Sequence, residues 1–310
     1  MNATTNFGLT NNFKQVSTHY ESSHELLWTF LSQEGNVPNF NSEIIKELTQ
    51  HHEEIEKTSG ILNIDGNINS IKYSVLASKR NDAFSLGGPL TLISELSFNK
   101  KREALADYAF KALHVLAQRT FRFNVPSIIS ITLLQGHTLG AGLEAALTSD
   151  VVIAERKSIL GFPEILFNMF PGMGAYSQVA RKAGTKIADK MILGGELFTA
   201  EQCYEMGLVD VLAEDGEGES AVYDWIRKNK RMSNGYLATQ KAKNRVNPIT
   251  YDELKDITTI WLDAAMQLTD RDYKMINRFI SSQLKTYGAT TSSTPMETTK
   301  NSVVGFKKTA

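Results

Sequence analysis

The stretch that decides the fold is residues 135–175, which read QGHTLGAGLEAALTSDVVIAERKSILGFPEILFNMFPGMGA. The apolar run at 128–134, which carries no charge and several β-branched residues, predicts a strand that leads into it. The turn around Gly140 then opens a helix, whose N-terminus directs backbone N–H groups and about half a positive charge at whatever lies above it. Such a place suits a developing oxyanion. Two glutamates lie nearby in the sequence, Glu144 and Glu164, and their carboxyl groups could move protons around such an oxyanion.

Length, charge and cysteine content limit the classes of protein to which this chain can belong. With 310 residues, 42% of them hydrophobic, the chain can bury a full core, and its formal net charge of −1 gives no reason to expect nucleic acid as a partner. The single cysteine, Cys203, excludes an intrachain disulfide and is typical of a reducing compartment. The first residues lack the basic-then-apolar pattern of a signal peptide, and no apolar run approaches the length of a membrane span. These features predict a soluble, cytoplasmic globular protein.

Strands and helices alternate along the first two thirds of the chain. Apolar runs predict strands at 26–31, 71–78, 128–134 and 151–154, with helical patterns between them. This alternation indicates an α/β fold with a largely parallel sheet. The chain is predicted to consist of a flexible arm, a core, a helical region and a disordered tail, with bounds of 1–24, 25–215, 216–287 and 288–310.

The histidines give no strong signal for a site. His51 and His52 are adjacent in the charged part of a helix predicted to begin after Asn41. Adjacent residues do not share a helix face, so this pair predicts a solvated surface rather than a metal site. His137, beside the glycine-rich turn, has no suitably spaced carboxylate or serine partner and is interpreted as a turn residue. No metal site is predicted in the sequence.

Three segments, in this order, resemble the crotonase family, also called the enoyl-CoA hydratase/isomerase superfamily. They are 83–88 (AFSLGG), 136–144 (GHTLGAGLE) and 161–164 (GFPE), the last followed by 171–175 (PGMGA). The resemblance implies a ββα spiral core and a C-terminal helical region that assembles a homotrimer or a dimer of trimers. It also implies acyl-thioester chemistry without a metal or redox cofactor, on a substrate carried by acyl carrier protein or coenzyme A.

Within this family, residues 163–177 and 260–268 are most similar to one branch, the bacterial synthases of diffusible signal factor, a cis-2-unsaturated fatty acid. This branch implies dehydration of a medium-chain 3-hydroxyacyl carrier protein to the cis-2-enoyl thioester. Hydrolysis of that thioester would then release the acid for cell–cell signalling. A regulatory sensor protein is a further partner that the resemblance implies.

Two alternatives stay open. The first is an enoyl-CoA hydratase or isomerase that acts on CoA esters and releases no free acid. Pro89 argues against a simple hydratase, because it stands where many hydratases of the family have aspartate. The second alternative is a weakly catalytic family member that serves as a binding partner of a regulatory protein, against which the presence of both glutamates counts.

The resemblance also assigns roles to backbone groups. The N–H groups of Leu86 and Ala141 are expected to form an oxyanion hole, and neighbouring Gly87 and Gly140 to contact the substrate. Ala141 stands at the middle glycine of the family's motif. An alanine is unstrained there only if its φ angle is negative, which is what we predict.

Glu144 and Glu164 fall where the family carries its catalytic carboxylates, although a glutamate in the first turn of a helix is also common for helix stability alone. One is expected to remove the α-proton of a 3-hydroxyacyl thioester, and the other, protonated, to give its proton to the departing hydroxyl. Two adjacent carboxyl groups in an apolar pocket would raise one pKa, but the sequence does not tell which. Leu139, Met173 and Trp261 are candidates for the acyl-chain pocket, or else ordinary core residues.

Overall fold

A six-stranded sheet, parallel except at one edge, forms the centre of the fold. The computed structural model describes residues 13–33, 36–64 and 66–288. The strands of this part of the chain are β1 (Val16–Glu21), β2 (Leu26–Leu31), β3 (Ile61–Ile64), β4 (Asn67–Ser70), β5 (Tyr73–Ser78), β6 (Ala83–Ser85), β7 (Ile129–Leu134), β8 (His137–Leu139), β9 (Val151–Glu155), β10 (Ile159–Gly161), β11 (Leu197–Thr199) and β12 (Val211–Ala213).

The strands form two sheets and a hairpin. The large sheet has the order β1-β2-β5-β7-β9-β12, and only β1 runs antiparallel to its neighbour. The small sheet has the order β11-β10-β8-β6, with β11 antiparallel, while β3 and β4 pair with each other. The predicted α/β fold with a largely parallel sheet is therefore confirmed.

Helices connect the strands and form the C-terminal part of the described chain. They are α1 (Ser42–Lys57), α2 (Leu90–Phe98), α3 (Arg102–Thr120), α4 (Ala141–Leu147), α5 (Ala175–Ala183), α6 (Thr185–Gly194), α7 (Ala200–Glu205), α8 (Gly218–Asn229), α9 (Ser233–Val246), α10 (Tyr251–Ala265) and α11 (Asp270–Tyr287). Among the residues that the structure describes, no helix combines the length and the apolar character needed to cross a bilayer.

Three successive units share one plan, in which a strand of the large sheet is followed by a strand of the small sheet and then by a helical segment. They are β5-β6-α2, β7-β8-α4 and β9-β10-α5. Gly136 makes the turn inside the second unit, with a φ of +132°, and a Cβ there would lie 2.3 Å from the carbonyl oxygen of Asp82. No other residue fits so close to a neighbouring backbone. The predicted ββα spiral core is confirmed, and trimer formation by the C-terminal helices stays a prediction.

The two faces of the large sheet bury separate apolar clusters. Leu76 and Leu134 belong to the cluster shared with α1, α3, α4 and α5, whereas Val75 and Ile131 belong to the cluster under α8. Neighbouring residues of one strand thus face opposite clusters, as the two-residue period of a strand requires. Each such buried side chain stabilises the fold by roughly 1.5–3 kcal/mol. The cavity described below lies on the first of these faces.

The predicted N-terminal arm ends too late. Residues 16–21, inside the predicted range of 1–24, form β1 and pair with β2, with Val16 opposite Leu31. Val16 and Tyr20 are buried, while the polar residues between them are only partly covered, a pattern that suits an edge strand. The prediction took these polar residues as a sign of a flexible arm, whereas they occupy the partly covered positions of an edge strand. Residues 1–12 of the arm, and the predicted tail from 289 onward, lie outside the described residues.

The prediction of a solvated histidine pair is wrong. His51 and His52 are each 1% exposed, and their ring nitrogens bond to Thr29 (2.9 Å, His51 Nε2) and to Gln118 (3.2 Å, His52 Nδ1). Burial lowers the pKa of His51 to about 4. Both positions lie three and four residues after buried Leu48, so helical spacing placed them beside the apolar stripe of α1. Charged neighbours in the sequence concealed that signal.

Candidate active site

A cavity opens between the turns of the small sheet, the short helical turn Pro163–Phe167 and the C-terminal helices α10 and α11. Every residue for which the sequence predicts a catalytic, oxyanion or substrate-binding role lines it, namely Leu86, Gly87, Leu139, Gly140, Ala141, Glu144, Glu164, Met173 and Trp261. The fold thus brings together residues that are distant along the chain. Most other lining side chains are apolar.

Glu144 is held as an acceptor inside the first turn of α4. Its side chain is buried, and Oε1 accepts hydrogen bonds from the backbone N–H groups of Met173 (2.7 Å) and Ala175 (3.0 Å). Ala175 is the first residue of α5, so the positive end of that helix faces the carboxylate. Burial raises the pKa of Glu144 to about 7, although the two N–H donors oppose this shift. The environment therefore favours an anion more than burial alone would.

Glu164 has a different environment. It follows Pro163 at the start of the turn Pro163–Phe167, and its Oε2 is buried without a hydrogen-bond partner among the described residues. Burial, and secondarily the charge of Glu144, raise the pKa of Glu164 to about 8. A Cβ on Gly140 would lie 2.4 Å from Oε1 of Glu164. The carboxyl group therefore lies directly against the glycine turn, where the φ of +53° at Gly140 also favours glycine.

The pair can supply an acid and a base together. The carboxylate that receives two N–H donors is Glu144, and the carboxyl with an unpartnered oxygen is Glu164. Ionising both would place two negative charges in one buried site, so the pair favours holding one proton. That proton is favoured on Glu164, because the two N–H donors stabilise the ionised form of Glu144 and no donor reaches Oε2 of Glu164 among the described residues. This arrangement suits proton transfer to and from carbon or oxygen.

Ala141 presents an available backbone donor. It is the first residue of α4, it is not among the residues with positive φ, and its N–H has no acceptor within the described chain. The predicted negative φ is therefore confirmed. Gly87 lies against it with a φ of +100°, and a Cβ there would be 3.3 Å from the Ala141 nitrogen. This glycine lets the two turns that line the cavity approach each other.

The prediction that Leu86 donates to an oxyanion is contradicted. Its N–H donates instead to the carbonyl oxygen of Pro38 at 2.7 Å, and the N–H of Phe40 donates to the carbonyl of Gly87 at 2.9 Å. The segment 38–40 thus pairs with this turn as a short ladder, which neither segment reveals in its sequence. Gly88 also lines the cavity, and its N–H has no acceptor in the part of the chain that the structure describes. Gly88 thus carries an available donor for which the sequence analysis predicted no role.

The far walls of the cavity are apolar. Trp261 packs directly on the backbone of residue 172, where a Cβ on Gly172 would lie 2.2 Å from its Cγ. Helix α11 adds Ile276, Phe279 and Gln283, for which the sequence analysis predicted no role. Their spacing of three and four residues along a predicted helix was the signal that could have found them.

A second, polar cavity adjoins the first. The two share Leu90 and Gln283 in their walls. The second is rich in carboxamide side chains, contributed by Gln15, Asn36, Asn39, Asn41 and Gln283. Oδ1 of Asn39 is buried there without a hydrogen-bond partner among the residues described. Such groups can donate to and accept from the amides of a ligand.

His137 does not line either cavity. Its Nδ1 bonds to the hydroxyl of Tyr287, at the end of α11, and the two rings meet edge to face. Burial lowers its pKa. The histidine therefore anchors the end of a helix that forms part of the cavity wall. It is the first residue of β8 and not the turn residue that the sequence analysis predicted. Within the described ranges, no group of three or more His, Cys, Asp or Glu side chains could hold a metal ion.

Comparisons with known proteins were made at the level of sequence and of structure. The sequence profile of the enoyl-CoA hydratase/isomerase family matches residues 34–277. One curated relative, 2,3-dehydroadipyl-CoA hydratase of Escherichia coli (strain K12), is 39% identical over 122 residues, which are 39% of this chain and 46% of the relative. The chain thus spans about half the length of the curated relative that it matches.

Solved structures share the fold at low identity. An enoyl-CoA hydratase from Bacillus halodurans is 19% identical, with a TM-score of 0.70 over 86% of this chain and 100% of the other. DspI from Pseudomonas aeruginosa is 20% identical, with a TM-score of 0.60 over 88% of this chain and 97% of the other. At these identities the similarity establishes the fold alone.

Proposed function

Because this chain belongs to the enoyl-CoA hydratase/isomerase family, we propose that it is a hydro-lyase that moves water on and off the α and β carbons of an acyl thioester. The observation that carries the proposal is the buried pair of carboxyl groups, Glu144 and Glu164, on the wall of one cavity and in unlike environments. A binding module would have no need of such a pair, because burying two carboxyl groups opposes folding.

The thioester oxygen would accept from the backbone N–H groups of Gly88 and Ala141. Both residues line the cavity, and neither N–H has an acceptor in the described structure. Removing the α-proton, or adding to the β carbon, places negative charge on this oxygen as an enolate. One donor that is already in place for that charge contributes about 3–4 kcal/mol in enzymes where it has been removed.

The different environments of the two glutamates support different roles for them as acid and base. In the hydration direction, ionised Glu144 would take a proton from the water that adds to the β carbon, and protonated Glu164 would give its proton to the α carbon. Dehydration is the reverse. Glu164 then removes the α-proton, and Glu144 protonates the departing hydroxyl. Dehydration therefore starts from the less populated arrangement of the shared proton.

The two cavities suit a substrate with an apolar chain at one end and a polar, amide-bearing arm at the other. Apolar walls that include Phe167, Trp261 and Phe279 suit an alkyl chain of medium length, and the carboxamide-rich cavity suits the amide-bearing pantetheine arm of a carrier. Both acyl carrier protein and coenzyme A provide that arm. A dicarboxylic acyl group such as dehydroadipyl fits less well, because the walls of the first cavity, in the residues described, include no Lys, Arg or His.

The finer form of the proposal is a synthase of diffusible signal factor. Such an enzyme would dehydrate a medium-chain 3-hydroxyacyl carrier protein and then hydrolyse the cis-2-enoyl thioester to the free acid. The resemblance of residues 163–177 supports it, as does the ability of the carboxylate pair to direct a water at the thioester carbonyl as well as at the β carbon. The coarser alternative is a hydratase or isomerase that leaves the thioester intact.

Analysis of the reaction products tests both the hydro-lyase activity and the finer proposal of a signal-factor synthase. Purified protein is given 3-hydroxydodecanoyl thioesters on acyl carrier protein and on CoA, and mass spectrometry follows free acid and enoyl thioester. Free cis-2-enoic acid would support the synthase. Enoyl thioester alone would restrict the function to a hydratase, and no turnover of either substrate would contradict the whole proposal and favour a binding role.

We expect Trp261→Leu to change the preferred chain length. The smaller side chain enlarges the apolar cavity, so kcat/KM for a hexadecanoyl relative to a dodecanoyl substrate should rise at least about tenfold, since room for even one further methylene contributes about 1–3 kcal/mol. Leu262→Ala is the matched control, because Leu262 is the next residue of α10, is buried and does not line the cavity. An unchanged ratio in Trp261→Leu would remove Trp261 from the acyl pocket.

A further inference from the structure

Tyr108 is a buried side chain of α3 that bonds to the segment behind the oxyanion donors. Its hydroxyl is 3.0 Å from the carbonyl oxygen of Phe40 and donates to it, and the residue is 5% exposed. The same hydroxyl lies 3.3 Å from the position that a Cβ on Gly88 would take. Tyr108 itself is not among the residues that line the cavity. It touches the donor turn from behind.

A chain of hydrogen bonds leads from this hydroxyl to the turn. Tyr108 holds the carbonyl of Phe40, whose own N–H donates to the carbonyl of Gly87 at 2.9 Å. The carbonyl of Pro38 accepts from the N–H of Leu86 at 2.7 Å. Two backbone bonds therefore fasten the turn to the segment 38–40, and the Tyr108 hydroxyl fastens that segment to α3.

This attachment orients the Gly88 N–H, because that N–H shares a trans peptide plane with the Gly87 carbonyl and points away from Phe40, to which the carbonyl is bonded. The two preceding amides are occupied, Leu86 by Pro38 and Gly87 by the hydroxyl oxygen of Ser85 at 3.3 Å, so the turn has little freedom to rotate. Ile93 lies on the same side of Gly88 as Tyr108, with its Cδ1 2.9 Å from the position that an added Cβ would take. Gly88 lines the cavity and its N–H has no acceptor among the described residues, so this donor remains available to a ligand.

We propose that Tyr108 is a positioning residue for the reaction, which holds the Gly88 N–H in line with the thioester oxygen through the carbonyl of Phe40. This inference rests on the proposed function, because it concerns the donor that would stabilise the enolate. The hydroxyl proton is committed to the Phe40 carbonyl, so Tyr108 transfers no proton to the substrate.

Tyr108→Phe tests the proposal, because it removes the hydroxyl and keeps the ring. We expect kcat to fall about 10- to 100-fold with KM within about threefold, since a displaced donor weakens binding of the enolate more than of the ground state. A spectroscopic readout accompanies the kinetics. A cinnamoyl thioester absorbs at longer wavelength when its carbonyl is polarised, and we expect the red shift on binding to shrink in the variant.

Tyr73→Phe is the matched control. Tyr73 is equally buried but belongs to the apolar cluster on the opposite face of the large sheet, so both the kinetics and the red shift should equal those of the unchanged protein. If Tyr108→Phe does not fold, Tyr108→Met takes its place, because it also removes the hydroxyl and keeps a long apolar side chain that adapts to the space.

The outcomes separate this inference from the function on which it rests. An unchanged protein with neither turnover nor a red shift would overturn the proposed function itself. Unreduced turnover and a full red shift in Tyr108→Phe, or in Tyr108→Met when that variant replaces it, would overturn only the positioning role. A reduced kcat and a reduced red shift, with KM and melting temperature nearly unchanged, would support it.

Discussion

Replacing either Glu144 or Glu164 by glutamine is expected to lower kcat about 1000-fold, with a much smaller change in KM. Glutamine keeps the shape of each side chain but can neither take up nor release a proton. Because one proton moves from water and another to carbon in the same turnover, losing either group stops the exchange. The double variant should be little worse than each single one, since groups that act as a unit are not additive.

Steady-state kinetics with an enoyl thioester, followed by loss of its absorbance, would measure this effect. Glu53→Gln provides the matched control, because Glu53 lies on the exposed side of α1 and the same change there should leave kcat alone. Retention of more than a tenth of the activity in either cavity variant would exclude that carboxyl from proton transfer. The pH profile of kcat/KM should be bell-shaped near neutral pH, because the pKa of Glu144 is raised to about 7 and that of Glu164 to about 8.

The same change at Glu164 is expected to stabilise the protein at alkaline pH. Burial, and then the charge of Glu144, raise the pKa of Glu164 from an ordinary 4.5 to about 8 in the folded state. Below the pKa of the unfolded state, about 4.5, the carboxyl group is protonated in both the folded and the unfolded state, so its burial as an ion costs no stability. As pH rises from about 4.5 to about 8, the folded state holds a proton that the unfolded state has lost, so stability falls, and above about 8 the penalty is constant.

Glutamine has no charge to bury, so the stability difference between the variant and the unchanged protein should grow with pH. We expect Glu164→Gln to unfold with a free energy roughly 3–5 kcal/mol higher at pH 9 and less than about 1 kcal/mol different at pH 5. Urea unfolding at several pH values measures this, and Glu53→Gln should show no such trend. A difference that is the same at pH 5 and pH 9 would contradict the raised pKa. The gain in stability and the loss of activity in one variant would mark Glu164 as a residue retained for chemistry at the cost of stability.

The position of Gly140 explains why the effects on activity and on stability both arise from the same wall of the cavity. The φ of Gly140 is +53°, and a Cβ there would lie 2.4 Å from the Glu164 carboxyl oxygen. The residue that starts the helix carrying Glu144 thus also makes room for the second carboxyl group. One glycine brings the backbone donor of Ala141 and both titratable groups to the same wall of the cavity.

Local patterns in the sequence were sufficient for much of the fold and for the members of the site. Apolar runs such as 128–134 and glycine turns such as that at Gly140 depend on neighbours within a few residues, so their meaning is readable without the structure. The order and spacing of three motifs then pointed to the family, and through it to Glu144 and Glu164. All the residues predicted on this basis lie around one cavity.

What the sequence could not determine depends on contacts between distant segments. The backbone of residues 38–40 occupies the N–H of Leu86, which transfers the free donor to Gly88, and no pattern in either segment reports such a bond. Helix α11 closes the cavity from far along the chain.

The sequence by itself determined the α/β class, the strand-turn-helix that carries the site and the identity of its carboxyl groups, because these follow from local propensity and from motif order. Only the tertiary structure decided which glutamate has the environment that favours an ionised carboxylate. That choice depends on two N–H groups at the start of α5 that reach Glu144 and leave Glu164 without a partner among the described residues. Hydrogen bonding and burial, which set a pKa, are properties of the packed surroundings and not of the residue.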